Sequence, residues 1–164
     1  MDSAELQSLL ASTDAFRDWN VERLIGKGRF GSVFLIRREG RFGGTPEISA
    51  LKWMRVCPTA EEIEHCPAQG LTPEDLADNY RKKIEDGIRE IEIMRRLQGE
   101  TNIVSYQDHE ITGTPDRLGW NLFLRMERLT PVPEYIRRSG VSAELIVDVG
   151  RSIASALSLS LIHI

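Results

Sequence analysis

The chain has 164 residues, 41% of them hydrophobic and 28% charged, with a net charge of −4; that suffices for one globular domain with a real core. The acidic balance speaks against a general nucleic-acid binder, and no apolar run approaches the roughly 20 residues a membrane-spanning helix needs. The start Met1-Asp2-Ser3-Ala4-Glu5 lacks the basic region of a signal peptide, so the expectation is a cytoplasmic domain.

In chain order, residues 3–12 are expected to form a short packing helix with Ser3 as its cap. Strands are expected over 19–25, 33–38 and 48–56, with the glycine-rich segment 39–46 joining the second to the third. Residues 57–71 carry Pro58, Pro67 and Gly70 and read as a loop or partly ordered insertion. Cys57 and Cys66, the only cysteines, lie there. Without an identifiable fourth ligand they read as two reduced thiols in a mobile segment rather than as a zinc site.

Thr72-Pro73-Glu74-Asp75 is a strong helix start: a capping hydroxyl, proline at the first position, then acids. That helix should run to about Leu97, before Gly99. Strands follow near 103–109 and 121–128, with turn-rich 112–119 between them. A short helix over 134–138 and a final helix from near Ser142 complete the pattern, with no internal repeats.

Gly26, Gly28 and Gly31 in Ile25-Gly26-Lys27-Gly28-Arg29-Phe30-Gly31-Ser32-Val33 form G-x-G-x-x-G. Two folds use this spacing to bring backbone N–H groups close to phosphates. A dinucleotide fold needs a helix straight after the glycines. Here Ser32-Val33-Phe34-Leu35-Ile36 follows, β-branched and aromatic, which reads as a strand. Strand, glycine turn, strand is a hairpin able to lie over a ligand.

Lys52 lies on the next strand between Leu51 and Trp53. A lysine there can simply snorkel to solvent, but beside a glycine hairpin it can also supply the fixed positive charge that orients phosphates. On the predicted long helix Ile84, Ile88 and Ile91 form an apolar stripe. Glu90, with Ile93, Met94 and Leu97 at i+3, i+4 and i+7, is expected on the inward side. Glu85, Arg89, Glu92 and Arg96 are expected on the opposite face as a set of charge pairs. An inward carboxylate is costly unless paired, and Lys52 offers the pair; the alternative is a carboxylate at the core edge with its head in water.

These residues together resemble the N-terminal lobe of a eukaryotic-type protein kinase, specifically bacterial Ser/Thr kinases. Residues 25–33 match the glycine-rich loop, and Ala50-Leu51-Lys52 matches the alanine-x-lysine strand. Arg89-Glu90-Ile91-Glu92-Ile93-Met94 matches the central helix, and Leu122-Phe123-Leu124-Arg125-Met126-Glu127 the fifth strand and hinge. Thr101-Asn102-Ile103-Val104 matches the segment after the helix, although Glu100-Thr101 replaces the usual His-Pro before the asparagine.

The resemblance implies an α+β fold: a five-stranded antiparallel sheet with one long helix packed on it, then a hinge and the first C-lobe helices. It divides the chain into a helical extension (1–18), a partial kinase domain (19–158, the N-lobe ending near 129) and a tail (159–164). It implies ATP contacts from Ile25, Gly26, Lys27, Gly28, Arg29, Phe30, Gly31 and Val33 in the loop, and from Ala50 and Lys52 on the third strand. At the hinge, Met126 would be the gatekeeper, and the backbone of Glu127 and Leu129 would bond the adenine edge. Lys52 and Glu90 would form the ion pair that positions phosphates.

The activity implied is transfer of the ATP γ-phosphoryl group to protein Ser or Thr hydroxyls, with ATP and Mg²⁺ as cofactors. The catalytic aspartate and the metal ligands would lie beyond residue 158 in a longer parent, so no metal ligand is assigned here, and the fragment alone is expected to be inactive. No nucleic-acid partner and no membrane segment are expected in this fragment. The last six residues, Leu159-Ser160-Leu161-Ile162-His163-Ile164, correspond to a codon string resembling a transposon-derived sequencing adapter, and are read as a non-native tail. The alternatives carried forward are a pseudokinase serving as a nucleotide-binding or scaffolding module, and a small dinucleotide-binding protein.

Overall fold

Five strands make one antiparallel sheet in the order β1-β2-β3-β5-β4. They are β1 (Asn20–Gly28), β2 (Gly31–Arg38), β3 (Glu47–Val56), β4 (Tyr106–Gly113) and β5 (Trp120–Met126). The helices are α1 (Ser3–Leu10), α2 (Ala60–His65), α3 (Pro73–Arg96), α4 (Val132–Ser139) and α5 (Ala143–His163). This computed structural model describes residues 2–29, 31–114 and 119–163. The α+β class and the five-stranded antiparallel sheet expected from the sequence are both present.

Alternation along the strands gives the sheet two apolar faces. Phe34, Ile36, Leu51, Trp53 and Phe123 point to one and meet Leu6, Leu10, Phe16 and Trp19 from the N-terminal segment. Trp53 stacks on Phe123 with ring centroids 6.4 Å apart, and its indole N–H donates to the buried Asn121 Oδ1 at 3.1 Å. Leu122 and Leu124 point to the other face and pack with Ile84 and Ile91 of α3 and with Tyr106. Each such fully buried side chain contributes roughly 1.5–3 kcal/mol relative to exposure.

The N-terminal segment is fastened by polar groups as well. Gln7 donates to the Trp19 carbonyl at 3.1 Å and accepts from the Val21 N–H at 2.7 Å. The Glu110 carboxylate accepts from the Asp14 and Ala15 N–H groups at 3.2 and 2.8 Å. The Arg38 and Arg125 guanidinium groups each lie 4.8 Å from the Trp19 ring centroid. Burial holds the Arg125 guanidinium below its ordinary pKa.

Several boundaries differ from expectation. The cap of α1 is Asp2 rather than Ser3: its carboxylate accepts from the Glu5 N–H at 2.7 Å, so Ser3 is already helical. β4 starts at Tyr106 rather than 103, because residues 100–104 are used in the turn that leaves α3, where Asn102 has φ +67° and the Ile103 N–H bonds the Glu100 carbonyl. The strand instead continues through Thr112 and Gly113, which pair with Asn121 and Trp120. The expected turn over 112–119 therefore shrinks; the Thr114 N–H bonds the Gly119 carbonyl at 2.8 Å, and 115–118 lie outside the described residues.

Residues 57–71, expected as a loop or partly ordered insertion, hold a short helix that the sequence reading did not place. Thr59 and Glu62 form a capping box that starts α2, and a single 3₁₀ turn follows at Pro67–Gln69. Cys66, Leu76 and Tyr80 form a small buried cluster beneath it. Cys57 and Cys66 are both free thiols. The signal was Thr-x-x-Glu, masked by the neighbouring prolines.

α3 starts as expected, with Thr72 and Asp75 in a capping box and Pro73 at the first turn. Its exposed side carries ion pairs Asp78–Arg81 and Asp86–Arg89. α5 is capped by Ser142, whose hydroxyl accepts from the Leu145 N–H at 3.1 Å. It runs on through the segment expected as a tail; Ile164 lies outside the described residues. No helix among the described residues is long and apolar enough to cross a membrane.

Candidate functional site

The glycine segment forms the β1–β2 hairpin. Lys27 pairs with Ser32 and Gly28 with Gly31, with Arg29 at the tip; Phe30 lies outside the described residues. Two register shifts in β1, between Val21 and Arg23 and between Leu24 and Gly26, bulge that strand and bend it. No helix follows Gly31, so the dinucleotide arrangement is excluded.

The three glycines have different reasons to be glycine. At Gly31 φ is +145°, and an added Cβ would come within 2.4 Å of the Trp53 carbonyl oxygen. The fold itself demands glycine there. At Gly26 the nearest atom to an added Cβ is Val33 Cβ at 3.8 Å, and at Gly28 it is the Gly31 carbonyl oxygen at 4.0 Å. Neither glycine has positive φ. Among the described residues nothing requires their lack of a side chain, and it leaves bare backbone along the hairpin.

Lys52 lies next to this hairpin in the sheet. Gly26, Val33, Lys52 and Leu124 form one row across β1, β2, β3 and β5. Beside it runs a second row of Leu35, Ala50, Met126 and Tyr106. Ala50 is buried and Met126 half-buried. The Glu127 N–H is spent on the Ser105 carbonyl at 3.1 Å, and its carboxylate accepts from the Ser105 N–H at 2.7 Å. Leu129 is exposed.

A cleft of about 700 Å³ opens between the glycine hairpin, β3 and α3. Lys27, Gly28, Arg29, Gly31, Lys52 and Glu90 of the expected set line it. Ile25, Gly26, Val33, Ala50, Met126, Glu127 and Leu129 do not; they lie on the hairpin and along the sheet toward the end of β5.

Lys52 and Glu90 reach the same cleft, but no ion pair joins them among the described residues, and Glu90 is exposed. The expectation of an inward, paired Glu90 is corrected. Successive helical residues turn by about 100°, so with Ile84 and Ile91 buried, Glu90 falls on the flank of the apolar stripe. There it keeps its head in water. Asp86, on the same flank, pairs with Arg89 at 3.2 Å. Among the described residues no group of three His, Cys, Asp or Glu side chains is placed to hold a metal ion.

The sequence reading missed the far wall. Tyr80, Lys83 and Gly87 of α3 line the cleft together with Met54 and Cys57. Tyr80 donates to both Glu62 carboxylate oxygens at 2.8 and 2.9 Å, which ties α2 to α3. The Thr59 backbone N–H and then this hydroxyl hold the Glu62 carboxyl below its ordinary pKa. Burial, and then the bonds to Glu62, push the Tyr80 phenol up to about 12. Tyr80 stands four residues before Ile84, a spacing that could have added it to the stripe.

Comparison with known protein families finds no family that the chain matches, and a search of curated proteins finds none similar to it.

Proposed function

We propose that the chain is the ATP-binding part of a eukaryotic-type Ser/Thr protein kinase. The observation that carries this reading is the meeting of a glycine hairpin, a β-strand lysine and a helical glutamate at one cleft: Gly28 and Gly31, Lys52, and Glu90. The five-stranded antiparallel sheet and the long α3 are compatible with a kinase N-lobe.

In this reading, backbone N–H groups near Gly26 and Gly28 approach the phosphates, where no Cβ stands in the way. Lys52 supplies a point charge from β3. Ala50 and Met126, opposite each other in the ladder, flank the adenine. The Glu127 N–H is already used, so its carbonyl is the group left for the adenine amino edge. Catalysis of this type is almost entirely positioning and electrostatics. Lys52 and Glu90 form no ion pair among the described residues, so this reading assigns the phosphate contact to Lys52 itself.

Two observations support ATP in the cleft: the open backbone at Gly28, and the cationic side chains of Lys27 and Lys52 on its lining. Mg²⁺ has no protein ligand set among the described residues, and no step is assigned to it. In this reading, phosphoryl transfer to a protein Ser or Thr hydroxyl also needs a catalytic aspartate, a role assigned to no residue of this chain.

ATP titration of the chain and its Lys52→Met variant, followed by amide NMR shifts into the millimolar range, tests this reading. Loss of one charged phosphate contact is expected to weaken binding about tenfold or more. Equal affinity in both proteins, or no ATP-dependent shift in the wild type, contradicts it.

A further inference from the structure

The α3 wall of the cleft carries one cation, Lys83, beside the carboxylates Asp86 and Glu90, and the glycine hairpin and Lys52 do not account for it. On α3 the flank facing the cleft reads Lys83, Gly87, Glu90, at i, i+4 and i+7. Lys83 and Glu90 are two turns apart, about 10 Å along the helix axis. Gly87, between them, carries no side chain, and a Cβ there would only touch Leu122 Cδ1 at 3.6 Å. The gap between Lys83 and Glu90 is therefore open to the cleft.

Lys83 has no ion pair among the described residues; the Glu62 carboxylate is close enough to feel its charge, and Asp86 is already bound to Arg89. The Lys83 Nζ stands 3.7 Å from the Tyr80 ring centroid. That ring is itself held by the two bonds to Glu62. A cation–π contact places an ammonium without neutralising it, and all three ammonium donors are not satisfied by a ring face. The arrangement thus keeps a charged, positioned lysine at the rim of the cleft, on the wall opposite β3.

We propose that Lys83 is a second phosphate-binding cation that acts with Lys52 from across the cleft, so that the site selects nucleoside di- and triphosphates over monophosphates. This rests on the nucleotide reading above and deepens it. A single phosphate can engage one lysine, whereas a chain of phosphates can span both walls. Tyr80 and Glu62 act as positioning residues: they fix where the Lys83 ammonium waits.

The test is titration of the full chain with AMP, ADP and ATP at constant ionic strength, read by amide NMR shifts. Lys83→Met is expected to weaken ATP about tenfold while changing AMP by less than about twofold. Lys83→Arg should largely restore the ATP preference, and Tyr80→Phe, which keeps the ring but releases Glu62, should reduce it partway. Lys82→Met, at an exposed neighbour that does not line the cleft, should leave the AMP-to-ATP ratio unchanged. Lys83 is exposed, so its removal leaves folding intact, checked by an unchanged thermal melt. An equal loss for all three nucleotides, no loss, or the same loss in Lys82→Met overturns the proposal. If Lys52→Met weakens ATP and Lys83→Met does not, this inference alone fails. If neither does, the nucleotide reading fails with it.

Discussion

At Gly31 the backbone has φ +145° and an added Cβ would lie 2.4 Å from the Trp53 carbonyl oxygen, whereas Gly26 and Gly28 have room for one. Alanine substitution should therefore separate structure from binding. Gly31→Ala is expected to lower stability by about 1–3 kcal/mol through strain. Gly26→Ala and Gly28→Ala should leave the melt within about 1 kcal/mol of wild type and weaken ATP binding. Denaturant melts and nucleotide titrations of the three variants check this; unimpaired ATP binding by both Gly26→Ala and Gly28→Ala would contradict a phosphate role for the hairpin. The G-x-G-x-x-G spacing was legible in the sequence, but the division of labour among its glycines was not, because it depends on how closely β3 passes each one. Glu90 shows the same limit. Helical periodicity put it near the apolar stripe, yet its exposure follows from a turn of one residue away from Ile91.

Among the elements, α1 and its following turn form part of the core. Leu10, Phe16 and Trp19 are 0–1% exposed and cover a sheet face that would otherwise be bare. Leu10→Ala is expected to cost about 2–5 kcal/mol, measured by urea denaturation; a change below about 1 kcal/mol would mean that the extension is dispensable. The apolar spacing that forms α1 was readable, but its docking partner was not, since strand alternation alone makes both sheet faces apolar. α2 was missed because proline and glycine signals outweighed its capping box. Its attachment to α3 depends on pH. Glu62 has a lowered pKa in the fold, so its contribution is present above the ordinary glutamate range and is lost as pH falls through the lower folded value. A carboxyl ¹³C titration should find the Glu62 midpoint below that of an unstructured glutamate, with amide exchange of α2 rising at more acid pH. A midpoint at or above the ordinary value would contradict the Glu62–Tyr80 tie.

On the scale of the whole molecule, the sheet with α1 and α3 holds the buried clusters, while α4 and α5 leave large apolar side chains in solvent. Val141, Ile146, Ile153 and Leu157 are each more than half exposed. Leu145 and Val149 line a groove of about 380 Å³ with Tyr135 and Ile136. Exposed apolar area of this kind promotes association. Sedimentation velocity should show concentration-dependent self-association that Ile153→Glu with Leu157→Glu reduces; a monodisperse monomer at all concentrations would contradict this. The apolar side of α5 was visible in its sequence, because amphipathic spacing needs no partner to be read. The central claim is that the cleft under the glycine hairpin binds the phosphates of ATP. Amide NMR mapping of the chain on addition of ATP tests it most directly. Shifts are expected at Gly26, Gly28, Lys52 and Glu127, with adenosine alone sparing the glycines. Shifts confined to other surfaces, or glycine shifts equal for adenosine and ATP, would contradict it.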